Sequence, residues 1–211
     1  MLLKKLAGPQ AAVEITAIRR DDLFLSDQLR RKNMPLPAGH GVKALAAWIK
    51  AKIEGYDAVI FMADADSPDD RNWRRHHDQI RDGFSREKGG PAAVVCLPKS
   101  ASESWLLADK QAWLAIGLSG PDILPDAPER IWGQRDGPDG NHPHRAFARV
   151  CAAANVDDCR ETRVDIAERS TAVAVGASCP LSFGAFWQEL TAAGLAPPPP
   201  SAVSSATKRV H

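Results

Sequence analysis

The stretch VIFMADADSPDD, residues 59 to 70, carries an apolar run into Asp64 and Asp66, then through a Ser-Pro turn into Asp69 and Asp70. Residues two apart on an extended chain point to the same side, so Asp64 and Asp66 project together if strand geometry persists past Met62. Two ionised carboxylates that close repel each other, and either a proton or a cation relieves the repulsion. Magnesium suits the second outcome: it takes hard oxygen ligands, commonly one or two carboxylates, and completes its shell with water and substrate phosphate. The pattern predicts a Mg²⁺ (or Mn²⁺) site at Asp64 and Asp66 for phosphoryl-type chemistry. The alternative is a solvated turn, because DSPDD is also good N-cap material. Asp69 and Asp70 read as capping and dipole residues of the helix that follows.

In that helix, from about Asp70 to Phe84, the residues Trp73, His77, Ile80 and Phe84 share one stripe, which makes His77 a core histidine. Arg71, Arg74, Arg75, His76 and Arg81 fall on the other faces. A cationic face beginning beside a carboxylate–metal site would hold a phosphate backbone, so Arg71, Arg74 and Arg75 are candidate substrate-binding residues. The competing reading is a solvated face paired with Asp70, Asp78 and Asp82. Glu103 follows the next apolar run and is a candidate catalytic residue, in competition with a capping box formed with Ser100. Asp109 has a similar competitor, the N-cap of a short helix from Lys110 to Ile116 closed by Gly117. Trp105 and Trp113 read as core, and His142 and His144, flanking Pro143 at a helix entry, have either a structural role or reach towards phosphate or metal.

The elements that must position these side chains alternate. AAVEITAI (residues 11 to 18) has the period of a half-buried strand, and YDAVIFM and AAVVCLP are near-continuous apolar runs of the kind central strands carry. Val42, Leu45, Ala46, Ile49 and Ile53 mark one face of a helix that stops at Gly55, and the second helix breaks at Gly83 or at Gly89-Gly90. Strand, helix, strand, helix, strand predicts an α/β fold with parallel pairing. After Pro98 the pattern turns to helices separated by a Pro/Gly/Asp-rich excursion, and APPPPSAVSSATKRVH lacks an apolar period and reads as a disordered tail. The expected organisation is an α/β core over 1–98, a helical extension over 99–194 and a tail over 195–211.

Composition bounds the answer loosely. The 27 Lys and Arg against 26 Asp and Glu give a net charge of +1, which singles out no class of partner. No apolar run approaches the ~20 residues of a membrane span, and MLLKKLAG is too short and polar for a signal peptide, so the expectation is a cytoplasmic protein. Cys96, Cys151, Cys159 and Cys179 show no zinc-ligand spacing and read as reduced, packed thiols.

Taken in order, VIFMADADS, CLPKSASESWLLAD, APERIWG and CPLSFGAFWQEL resemble a bacterial Toprim-like family of unknown function, related to the Toprim domains of overcoming-lysogenization-defect nucleases. The resemblance runs from about residue 11 to residue 191. It implies a small parallel-containing sheet flanked by helices, with a C-terminal helical elaboration. It also implies that Asp64 and Asp66 are the metal-binding D-x-D, that Glu103 and Asp109 match an E-x-W-L-L-A-D segment, and that the setting is anti-phage defence beside an ATPase partner. The family's first strand carries a glutamate that acts as acid or base. Here MLLKKLAG corresponds to the end of the helix after that strand, and Glu14 is the only early glutamate. Either the start lies upstream of Met1, or the member is shortened, or Glu103 takes the base role. Other function classes are a catalytically degenerate nucleic-acid-binding or regulatory subunit, a D-x-D nucleotide-sugar transferase, and a phosphatase with Asp64 as nucleophile that would need Lys99 and Asp109.

Overall fold

The two apolar runs pair with each other. In the computed structural model, which describes residues 14–24, 35–136 and 140–199, β1 (Ala58–Met62) lies parallel to β2 (Ala92–Cys96), with Ala58 opposite Ala92 and Met62 opposite Cys96. Parallel neighbours need a crossover, and α2 (Asp70–Ser85) supplies it. The helix before β1, α1 (His40–Glu54), ends at Gly55, whose left-handed backbone (φ +76°) closes the last turn as the sequence predicted. After β2 come α3 (Glu103–Leu106), α4 (Lys110–Ala115), α5 (Pro143–Ala153), α6 (Arg160–Arg169), α7 (Ala172–Ser178) and α8 (Ser182–Ala192).

The result is a mixed α/β architecture in which a two-stranded sheet separates two helical layers. On one face Phe61, Val95 and Leu97 pack with Leu45 and Trp48 of α1 and with Trp73, Ile80 and Phe84 of α2. On the other, Val94 and Cys96 meet Trp105 of α3 and Phe183, Phe186, Trp187 and Leu190 of α8. The helices beyond Pro98 therefore build the second layer of the sheet. A third cluster, centred on Trp113, Phe147, Val150 and Ile166, joins α4, α5 and α6. Indole N–H groups tie the layers to the strand ends: Trp48 Nε1 donates to Pro91 O at 3.2 Å and Trp73 Nε1 to Leu97 O at 2.7 Å.

Three expectations need correction. Residues 14–18 of the expected strand are exposed and form no strand, while residues 11–13 lie outside the described residues; apolar alternation makes a strand only where a neighbour accepts its ladder. Ile53, assigned by spacing to the buried face of α1, is exposed at the end of that helix. Residues 195–197, at the head of the expected tail, pack on α8: Leu195 and Ala196 join its cluster, and Pro197 O accepts from Trp187 Nε1 at 2.9 Å. Among the described residues no helix is long and apolar enough to cross a membrane.

The motif residues of the C-terminal part are structural. Glu129 is buried and accepts from Leu181 N (3.1 Å), Ser182 N (3.0 Å) and Ser182 Oγ (2.9 Å), capping α8 from a distant segment. Asp109 caps α4 as expected, and its second oxygen accepts from Thr171 N at 2.8 Å.

Helices α1 and α2 cross where Gly41 meets Gln79 and Gly83. A Cβ on Gly83 would lie 2.2 Å from Gly41 O, so only glycine permits this approach. Gly83→Ala should cost about 2–3 kcal/mol in urea unfolding, the magnitude of a forced backbone shift. Gly120→Ala, where a Cβ meets nothing within 4 Å, should change stability by less than about 0.5 kcal/mol.

Candidate functional site

Past the formal ends of the strands the ladder continues: Ala63 N donates to Cys96 O (3.1 Å), Ala65 N to Pro98 O (2.9 Å) and Ser67 N to Lys99 O (3.3 Å). The D-x-D segment is thereby held alongside residues 96 to 99, just before the chain enters α3. Asp64 is half-buried and accepts a backbone hydrogen bond from Ser102. Asp66 is exposed and has left-handed backbone, φ +47°, which turns its carboxyl away from simple strand geometry. Non-glycine residues adopt this region at a cost of about 1 kcal/mol or more, and aspartate is among those that tolerate it.

Glu103, at the start of α3, is 1% exposed. Its Oε1 accepts from Arg163 Nη1 of α6 at 2.5 Å and lies 2.7 Å from His144 Nδ1 of α5. Its Oε2 is buried and has no partner. The capping-box alternative is overturned: Ser100 Oγ pairs with Ser104 Oγ at 2.9 Å, and the N-cap residue of α3 is Ser102, without a side-chain cap. Helix α3 is only one turn long, so the long-range partners on α5 and α6 outcompete a local cap. The three sequence-predicted carboxylates thus meet at one end of the sheet. Burial, followed by the charges of Glu103 and Asp66, pushes the Asp64 carboxyl up to about 6.

Sequence reasoning named His142 and His144 as able to reach phosphate or metal and His76 as part of the cationic face, but it missed His40 and the convergence of the four imidazoles. His40 at the start of α1 and His76 on α2 stand edge to face with centroids 5.0 Å apart, and His142 stacks on His144 at 4.9 Å. The Asp66 charge acts on His40, His76 and His142, yet burial outweighs it and holds all three below the usual imidazole value; the neighbouring His76, Arg75 and His144, respectively, lower them further. The Ala65 backbone beside His76 offers the imidazole a hydrogen bond that raises it in part. His76, His142 and His144 lie 36, 102 and 104 positions from His40, and no local pattern announces their convergence. The signal available was Gly41 beside His40, a small residue that lets α1 approach α2.

The basic face lies to one side. Arg71, Arg74 and Arg75 are exposed and line an open groove of about 480 Å³ with Ala38, Gln79 and the acidic pair Asp78 and Asp82. Arg75 Nη2, 3.4 Å from His76 Nε2, links this groove to the imidazoles around Asp66. Asp69 caps α2 through Arg71 N, as expected. Asp70 pairs with the buried ammonium of Lys99, whose hydrogen bond holds the Asp70 carboxyl below its ordinary value. His77 is the expected half-buried structural histidine, stacked on Trp73 with Nε2 3.1 Å from Glu189 Oε1.

No family model, curated protein or solved structure matches the chain.

Among the described residues no group of three or more His, Cys, Asp or Glu side chains stands at the spacing of a closed metal cage. The donor chemistry nevertheless fits a hard, hydrated divalent ion, which needs one or two carboxylates and open positions. A half-buried aspartate whose ionised form is disfavoured and a buried carboxylate oxygen without a donor are both groups that a cation would satisfy. A phosphatase reading fits less well, because both oxygens of Asp109 are committed to backbone amides.

The raised Asp64 value has a definite sign. Ionised Asp64 is disfavoured in the folded chain, so its penalty is full above pH 6 and fades as pH falls towards the unfolded value of 3.8. Metal-free Asp64→Asn should be more stable than the wild type by about 1–2 kcal/mol at pH 7.5, after allowance for solvent screening, and by less than half of that at pH 4.5. Denaturant unfolding with chelator at both values checks this. Arg163→Ala, which strands the Glu103 carboxylate, should cost about 2–4 kcal/mol in the same assay.

Proposed function

We propose that this chain is a Mg²⁺- or Mn²⁺-dependent, Toprim-like nuclease subunit acting on nucleic-acid phosphodiesters. The observation that carries the reading is the meeting of Asp64, Asp66 and Glu103 at the carboxyl end of a parallel strand pair, with the Glu103 Oε2 atom buried and free. That end of an open α/β sheet is where ligands bind. Asp64 and Asp66 would hold the ion. When bound, it would supply charge stabilisation at the phosphate and lower the pKa of a coordinated water.

The chain's own residues account for the rest. Arg163 and His144 fix Glu103 through Oε1, so a proton taken from water would go to Oε2. Arg71, Arg74 and Arg75 carry the phosphate backbone along the face of α2. The resemblance adds an ATPase partner in anti-phage defence, and a cytoplasmic setting follows the sequence expectation. A second reading is a catalytically degenerate nucleic-acid-binding or regulatory subunit that keeps the carboxylate pair without cutting.

Titration calorimetry with Mn²⁺, run beside a nuclease assay on the same samples, tests the proposal. The wild type should bind and cut, Asp66→Ala should do neither, and Glu103→Gln should bind while cutting about a hundredfold more slowly or worse. Binding without cutting by the wild type would favour the regulatory reading. No binding would leave the D-x-D as a capped turn.

A further inference from the structure

Five of the six tryptophans donate their indole N–H inside the protein: Trp48, Trp73, Trp105, Trp113 and Trp187. Trp132 is the exception. Its side chain is 37% exposed, and its Nε1 has no acceptor among the described residues. Its ring is nevertheless held in place. A Cβ on Gly133 would lie 2.8 Å from Asn141 N, so the two ends of the excursion meet there, and this contact sets Trp132 against His142 with centroids 5.1 Å apart. His142 stacks in turn on His144, and His144 Nδ1 reaches Glu103 Oε1. An aromatic row therefore runs from an exposed indole to the carboxylate at the candidate site.

The charges around the row differ from end to end: Asp66 and Glu103 act on His142 from the candidate site, and Arg135 acts on it from the loop beside Trp132. Arg145 and Arg149 donate to the loop carbonyls of Arg135, Asp136 and Gly140, which orders the backbone beside Trp132. Arg130, two residues before the tryptophan, is close enough to act on Asp70 at the start of α2, the helix that carries the arginine groove. An exposed, pre-ordered indole flanked by arginines suits one occupant best: an unpaired base on a phosphate strand, because stacking needs a free π-face and a duplex offers none along its length.

We infer that Trp132 is a stacking platform for an unpaired base, so that the site takes single-stranded nucleic acid, or an unpaired end, in preference to continuous duplex. The inference rests on the nucleic-acid reading above and deepens it by assigning the form of the substrate.

The test is fluorescence anisotropy in chelator, which gives binding without cutting, using labelled oligo-dT, oligo-U and a blunt duplex of equal length. Trp132→Ala should weaken binding of the single strands about tenfold and leave the duplex unchanged, and Trp132→Phe should retain most of the affinity. Oligonucleotide binding should also quench indole emission in the wild type more than in Trp132→Phe. A preference between dT and U, followed by oligo-dU to separate the 5-methyl group from the 2′-hydroxyl, would assign the sugar, and either result supports the inference. Equal losses on single strand and duplex would overturn it. So would unchanged single-strand binding by Trp132→Ala when Arg74→Ala binds more weakly, although the phosphate-binding reading would then survive. If the wild type bound none of the three probes, the nucleic-acid reading itself would fall, and this inference with it.

Discussion

The parallel ladder between β1 and β2 outlasts the strands, and the candidate site depends on that continuation. Hydrogen bonds from Ala65 and Ser67 to Pro98 and Lys99 bracket Asp66 on both sides. With both neighbours fixed, the backbone at Asp66 has little freedom left, which is how a left-handed aspartate at φ +47° can persist. The same bonds keep Asp64 level with the residues that lead into α3, and so bring it beside Glu103. A chain that splayed apart after Met62 would still contain the D-x-D, but its carboxylates would be in solvent with nothing to oppose them.

The sheet end therefore gathers negative charge, and the fold treats each carboxylate differently. Glu103 is buried and balanced on one oxygen by Arg163 and His144. Asp66 is left to solvent among imidazoles that burial keeps from charging. Asp64 receives only a backbone amide and feels both other carboxylates, so the ionised form is unfavourable there. The Arg163 guanidinium alone cannot neutralise three carboxylates, and the remaining deficit is what a divalent cation would supply in the proposed function.

Much of this was legible from local pattern. The stripe over Trp73, Ile80 and Phe84 gave α2 nearly to the residue, and Gly55 marked the end of α1 because a left-handed cap needs glycine. The D-x-D was marked by its place at the end of an apolar run, although Asp66 departs from the strand geometry that the spacing assumed. The sequence was silent wherever partners are far apart in the chain. Arg163 lies 60 residues from Glu103, and Glu129 caps a helix about 50 residues downstream. Local reasoning set a capping box with Ser100 against the candidate catalytic role of Glu103, because it weighs near neighbours only. It also promoted residues 11–18 to a strand, since alternation records what a segment could bury without naming what would pair with it.

The buried carboxylates argue the case for Glu103 by contrast. Asp109 spends one oxygen on Gln111 and Ala112 amides and the other on Thr171. Glu129 divides its two oxygens between the amides of Leu181 and Ser182. Glu189, half-buried, accepts from Val95 N at 2.6 Å, so it closes the outer edge of β2, and its other oxygen faces His77. Each of these groups is fully occupied, as buried polar atoms in native proteins almost always are. Glu103 is more deeply buried than any of them and leaves Oε2 without a donor. An orphan acceptor of this kind costs about 1–3 kcal/mol. A fold that satisfies three comparable carboxylates and leaves the fourth open, close enough to Asp64 for its charge to be felt there, has the arrangement expected of a group reserved for water, a cation or a proton in transit.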